Sequence, residues 1–515
     1  MKIELLPEPK IEFADDFLCD DPKMGISVSG FYSLTNNSHR SEIHYACIGT
    51  KRNIQDLQDW LSQFQYPIKA TSSESIPGEE AEIEEGEVNT IFSDEDFDAV
   101  EREDLDNVVN KKLNPDFPGF TKESIFQCEL LNDSANNINI KSSVVNRTLE
   151  EKATKLEKLD QVINYYVSAY EELVDSCITK PDICFLVIPT DVFKKLSSIP
   201  KGKQHINFRR KLKAELMACK ESNIPIQIIL EDTIRGQKKQ LQDLSMIAWN
   251  FAVAQYYKTS NCIPWVLNEV DKDTCFIGIS FHRVINSKNN QLRSTIAQAF
   301  NREGKGLIFV GKQFEWNSRK TKSSAPHLSY EYAKDLIKNV LKHYTQVNKH
   351  TPRRIVVHKT TDFWDSFTNK EYAEIEGIEY AIKEELGDDV EFDLVTIKSS
   401  KINLLRTIGK YPVIRGSLLH IDDFEGVLYT TGYVPYYETF PGVHMPHGLS
   451  IEIFSGESTL REICKEILAL TKLNFNNCNY YSSLPITLLF AKKVGEIIQY
   501  LPESVNPPDR YYYYM

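Results

Sequence analysis

The basic run FRRKLK, Phe208–Lys213, is a place where residue types and spacing could do chemistry. The pattern around Phe208–Lys220 is helical, which sets Arg209 and Lys213 four apart on one face. Like charges at that spacing repel mildly, and an anion held between them removes the cost. A solvated basic helix face accounts for the same spacing, and spacing alone favours it. Other chemistries find little support. The ten cysteines are scattered, with no CxxC pair and no Cys/His cluster at zinc spacing, as for buried thiols in a reducing compartment such as the cytoplasm. No glycine-rich phosphate loop, GxGxxG or GxxxxGK followed by Ser or Thr, comes after a strand, which weakens a Rossmann-type nucleotide enzyme.

The elements that must position such residues follow from patterning. At 515 residues the chain is too long for one compact core. No apolar run approaches the roughly 20 residues of a membrane span, and no secretory signal is visible at the start. The net charge of −13 is local: residues 74–106 hold fifteen acidic side chains against one basic, Arg102, leaving the remainder near neutral. That acidic insert, at about 72–110, reads as a solvated, mobile segment or as a competitor for a basic groove. An apolar strand at Ile183–Pro189, the basic helix, a strand at Ile224–Leu230 and a helix over Leu241–Lys258 form a Rossmann-like α/β unit. A second unit begins near Asp273. CFIGISF and GLIFVG read as adjacent strands, followed by a helix at Tyr330–His343 and the strand Arg353–Lys359. A helix over Lys370–Glu385, further strands, and two closing helices from Thr459 and Pro485 complete it.

These segments resemble, in order and over essentially the full length, the MID and PIWI domains of short prokaryotic Argonautes. LPEPKIEFA and DDPKMGISVSGFY are similar to the family's opening EP and DPxxG elements, and IGTKRNIQDLQDWL with FPGF to the stretch that follows. IPIQIIL and AWNFAVAQYYK with PWVL resemble the MID core. CFIGISF, RRIVVHKTTDFW, YPVIRG, YTTGYVP, ILALTKLNFN and PITLLFAKKVGEII resemble successive PIWI elements. The resemblance implies an α/β chain with a Rossmann-like MID domain at 1–270, carrying an N-terminal lead-in and the acidic insert. An RNase H-like PIWI domain follows at 271–515. No PAZ or N domain precedes these elements in the sequence, which points to the short class.

The same resemblance nominates the residues. Arg209, Lys213, Gln227 and Lys258 would bind a guide 5′-phosphate, with Mg²⁺ and the carboxylate of Met515 brought to the same pocket. Arg210 or Lys211 takes the first place if the register slips, and a lysine at the end of a helix such as Lys258 also caps the dipole. A two-metal nuclease of this fold needs carboxylates to hold its ions about 4 Å apart. The corresponding positions here are Ser280, Thr360 and Lys492, with Glu315 as a candidate loop acid; slips to Asp273 or Asp362 do not replace them. The expected activity is therefore no cutting. Lys359 and Arg415 are candidates for the nucleic-acid channel, or else surface charges.

The implied role is a guide-RNA-binding, single-stranded-DNA-sensing subunit of a prokaryotic defence complex. Its partner would be an APAZ-containing effector, a TIR or sirtuin-like NAD-consuming enzyme or a nuclease, with possible oligomerisation on activation. The alternatives are an active guided endonuclease and a Rossmann-type nucleotide enzyme.

Overall fold

The computed structural model describes residues 2–35, 38–73, 109–201, 204–219, 224–237, 242–259, 262–283, 291–316, 321, 323, 325–406, 412–442, 445–502 and 505–515. Nearly all of the acidic insert, 74–108, lies outside the described residues.

The first unit is a five-stranded sheet in which every pairing is parallel. Its order is Ile226–Leu230, Ile183–Ile188, Glu42–Gly49 and Glu129–Asn132, with Ile138–Asn139 also pairing to Glu42–Gly49. Side chains alternate between faces along each strand. Ala46, Ile48, Cys184, Leu186 and Ile188 pack under the helices Lys155–Ser176 and Phe208–Ala218. Tyr45, Cys47, Phe185 and Val187 face the helices Lys51–Gln63 and Leu244–Lys258. Both faces being covered explains why Ile183–Ile188 is apolar throughout.

The second unit is a nine-stranded mixed sheet. Thr274–Arg283, Arg354–Lys359 and Glu391–Ser399 run parallel in its middle. Cys275, Ile277, Ile355 and Val357 pack against the helices Tyr330–Asn348 and Glu374–Leu386. Phe276, Val356, Val395 and Ile397 face the helices Leu460–Leu470 and Ile486–Ile498. Thr459 opens the first of these two through a reciprocal capping box with Glu462, as its spacing predicts.

Two expectations need correction. CFIGISF and GLIFVG are not neighbours: Gln291–Phe300 lies between them, antiparallel to both. The sequence reading missed this middle strand because QLRSTIAQAF shows no clean alternation of apolar and polar residues. The lead-in also does not stay with the first unit. Lys2–Leu5 forms an edge strand of the second sheet, antiparallel to Ser417–His420. One core cluster runs through both units, from Phe185 and Trp249 to Phe276 and Phe490. Among the described residues no helix is long and apolar enough to cross a membrane, and all ten cysteines are free thiols.

Candidate nucleic-acid interface

The basic helix Phe208–Ala218 is opened by Asn207, whose side-chain oxygen accepts from the Arg210 N–H at 3.1 Å. Phe208, Leu212 and Leu216 anchor the helix on the first sheet, and the same turns carry Lys213 inward to 8% exposure. The helix Leu244–Lys258 is apolar nearly all round and correspondingly buried, so its last residue ends in the interior. Lys258 is 0% exposed. From the opposite side, Tyr511 packs on Tyr257 and Phe490, with ring centroids at 5.1 and 4.6 Å, and directs the tail toward the same point.

There the predicted residues meet. Lys213 Nζ donates to the main-chain oxygen of Met515, and Lys258 Nζ approaches that oxygen at 3.4 Å. Lys258 Nζ also donates to Gln227 Oε1. Arg209 sits over the Phe193 ring at 5.3 Å, and its charge acts on Lys213. The alternatives for the first place are committed elsewhere: Arg210 pairs with Glu496 at 2.9 Å and Lys211 with Asp160. Burial pushes Lys213 down to about 7, and the charges of Arg209 and Lys493 add to the effect. Lys258 is held well below the usual lysine range by burial and by Lys213. Buried cations that repel one another form a site that an anion would relieve.

The pocket's own oxygens, Gln227 Oε1 and the Met515 oxygen, are hard donors of the kind magnesium takes. Each already faces a lysine ammonium, so a divalent cation fits only together with an anion that supplies further oxygens.

The second cluster lies at the C-terminal ends of the parallel strands Thr274–Arg283 and Arg354–Lys359. Their register pairs Ile279 with Lys359 as its last matched pair, and Ser280 and Thr360 are the next residues of the two chain segments beyond it. The helix Ile486–Ile498 is pressed onto this end. A Cβ at Gly278 would lie 2.1 Å from the Thr487 carbonyl oxygen, and one at Gly495 would lie 2.0 Å from the His282 ring. His282 Nε2 is 3.1 Å from Ser280 Oγ. Burial pushes His282 down to about 4, with the charges of Lys492 and Arg210 contributing. At neutral pH the Ser280 hydroxyl and the Lys492 ammonium thus lie near a neutral imidazole, a donor set poor in magnesium ligands. Asp362 pairs with Lys398, Asp273 lies 3.5 Å from Arg353 at the strands' other end, and Glu315 is exposed at the end of its strand.

Lys359 and Arg415 are not surface charges: both are buried in ion pairs. Lys359 Nζ donates to Glu374 Oε2 at 2.6 Å, with both side chains 1% exposed. That carboxylate also accepts from the Leu328 N–H at 2.7 Å and lies 3.1 Å from His327 Nδ1. Burial alone would raise Glu374, but Lys359 and His327 outweigh it and hold it low. Arg415 Nε reaches both oxygens of Glu8 at 3.1 and 3.0 Å, and Lys472 Nζ reaches one of them at 2.7 Å. A desolvated charge needs a partner within hydrogen-bond range, and in both cases the partner lies far away in sequence. Glu374 and His327 escaped sequence reading for that reason. The signal for Glu8, Arg415 and Lys472 was their place in the ordered motifs EP, RG and TK.

No family model matches the sequence, and no curated protein does. Solved structures do match in fold. Clostridium butyricum Argonaute bound to a guide DNA and a 19-mer target DNA superposes with a TM-score of 0.59 at 16% identity, over 98% of this chain and 54% of that one. Marinitoga piezophila Argonaute in complex with a 5′-OH guide RNA gives 0.54 at 14% identity, over 96% and 59%. Drosophila Piwi gives 0.55 at 11% identity, over 99% and 56%. The mixed α/β fold is therefore Argonaute-like along the chain, which spans little more than half the length of these neighbours.

Proposed function

We propose that this chain is the guide-binding, target-sensing subunit of a prokaryotic defence complex and does not itself cut nucleic acid. Residues 1–270, apart from the strand Lys2–Leu5 that joins the second sheet, would serve as the MID domain and 271–515 as the PIWI domain. The observation that carries the reading is the convergence of Lys213, Lys258 and Gln227 on one buried point beside Arg209. A phosphate dianion supplies the charge and acceptors that these donors lack. Mg²⁺ would enter with the phosphate, held on the protein side by the Met515 oxygen and Gln227, and would offset the phosphate's second charge.

Guide pairing would supply sequence specificity while the protein reads backbone and duplex shape. The guide is RNA and the target single-stranded DNA in this reading. The likeness to Marinitoga piezophila Argonaute, solved with a guide RNA and a target DNA, supports it. Ser280, Thr360 and Lys492 at the strand ends support the absence of cutting, since hydroxyls and an ammonium hold two magnesium ions poorly. Target binding would shift a two-state equilibrium in an associated APAZ-containing effector, a TIR or sirtuin-like NAD-consuming enzyme or a nuclease, in the cytoplasm. Oligomerisation on activation belongs to the same proposal.

The deciding experiment compares guides with 5′-phosphate and 5′-hydroxyl ends on the purified chain, and then assays the duplex for cleavage with Mg²⁺ or Mn²⁺. Tighter binding of the phosphorylated guide and an intact target are expected. A second reading, a pocket suited to 5′-hydroxyl guides, is favoured by the depressed lysines, which as neutral amines donate to a hydroxyl. Equal or tighter binding of the hydroxyl guide selects it. Cleavage sinks the non-cutting claim.

A further inference from the structure

Most cations around the two clusters are compensated within the chain. Arg210 has Glu496 at 2.9 Å, Lys359 has Glu374 at 2.6 Å, and Lys398 has Asp362. Lys492 differs. It is half-buried on the helix Ile486–Ile498 and forms no ion pair among the described residues, and the nearby charge it acts on is the titratable ring of His282.

Its position is fixed. Gly278 and Gly495 admit the helix to contact distance with the sheet, and His358 Nδ1 meets Thr487 Oγ1 at 2.9 Å at the helix's first turn. His282 lies between Ser280 and Gly495, the latter three residues past Lys492 and so on the same side of the helix. Lys492 therefore stands over the C-terminal ends of parallel strands, where open α/β sheets present their ligand crevices. Ser280, 3.1 Å from His282, adds a hydroxyl, and the acid four residues on along the helix, Glu496, is engaged by Arg210 at 2.9 Å.

We infer that Lys492, on the helix face that meets His282 and Ser280, is a fixed contact for one phosphodiester group of the bound nucleic acid, a cation built into the chain at a place suited to gripping a strand. This rests on the guided-binding reading above. An ammonium is a point charge with three donors and suits a single non-bridging phosphate oxygen. The phosphate comes either from the target or from the guide backbone.

The test uses the full chain loaded with a 5′-phosphorylated guide RNA, and measures binding of complementary single-stranded DNA by wild type, Lys492→Met, Lys492→Gln and Lys492→Arg. A single neutral methylphosphonate linkage is walked through the target and, separately, through the guide. The Met and Gln variants are expected to bind about 3- to 10-fold more weakly and to lose about one phosphate from the salt dependence, with Arg close to wild type. At one linkage, neutralisation should weaken wild type but not Lys492→Met; the strand carrying that linkage identifies the source. Wild-type affinity in the Met and Gln variants, or a loss that is uniform over all linkages, overturns the assignment. Failure of wild type to bind guide or target at all overturns the guided-binding reading itself.

Discussion

Lys213 and Lys258, from two different helices, converge on one acceptor, the main-chain oxygen of Met515. A single oxygen cannot neutralise two buried ammonium groups, and each lysine acts on a neighbour that is itself short of negative charge. Replacing either lysine with alanine should weaken a 5′-phosphorylated guide about 10- to 100-fold, the range for hydrogen bonds to charged groups. Hydroxyl-ended guides should lose far less. Equal losses for both ends, measured by filter binding or fluorescence anisotropy, would remove the pocket assignment.

Proton linkage should accompany the phosphate. Lys213 sits near 7 without an anion, and a dianion beside it raises that value, so binding takes up protons above pH 7. Affinity should fall as pH rises from about 7 toward 9, by at most tenfold per unit for one proton. Unliganded stability runs the other way. The unfolded chain binds more protons than the folded one between about 7 and the ordinary lysine value near 10.4, so stability rises with pH across that window. Lys213→Met should raise the unliganded melting temperature at pH 7 by a few degrees. A lowered value would show that the buried charge is well compensated.

The Lys359–Glu374 pair should behave as a buried couple. Lys359→Met or Glu374→Gln leaves an uncompensated group, at a cost of about 3–5 kcal/mol. Lys359→Met combined with Glu374→Leu should cost less than the sum of the single changes, read from denaturant unfolding. Because Glu374 is held low in the folded state, its contribution is complete above the unfolded carboxyl value and is lost as pH falls through the folded one.

Gly278→Ala should be strongly destabilising, since the added methyl meets main chain at 2.1 Å rather than a movable side chain. Overpacking of this kind costs about 1–3 kcal/mol or more. Gly495→Ala displaces His282 instead and should cost less. Calorimetry that ranks them the other way would show that the helix shifts more readily than the imidazole.

Restoring one carboxylate, by Ser280→Asp, Thr360→Asp or Lys492→Glu alone, should not produce cutting in Mg²⁺ or Mn²⁺, because one acid does not hold two ions. Cleavage by any single variant would mean that further acids lie within reach.

Much of this was legible in the residues. The four-residue spacing of Arg209 and Lys213 and the Thr459–Glu462 capping box are local patterns, and the structure places them as the spacing predicts. Periodicity located the strand Ile183–Ile188 and the helix Leu244–Lys258 within a few residues. Long-range pairing was not legible. Nothing near Lys359 in sequence announces Glu374 and His327, and nothing near Arg415 announces Glu8. A charge reads the same whether it faces solvent or a partner folded onto it, so the burial of Lys359 and Arg415 in ion pairs was not foreseen.

The lead-in strand sets a timetable for synthesis. Lys2 pairs with His420 and Glu8 with Arg415 and Lys472, so during synthesis these residues must wait for partners about 400 or more positions later. At about 5–20 residues per second the delay is roughly 20–80 s. Through that interval a short strand of alternating charged and apolar residues and the Glu8 carboxylate stay unpaired while the first parallel sheet can already form. The second sheet thus gains one of its edges from a strand made before any other strand of that sheet.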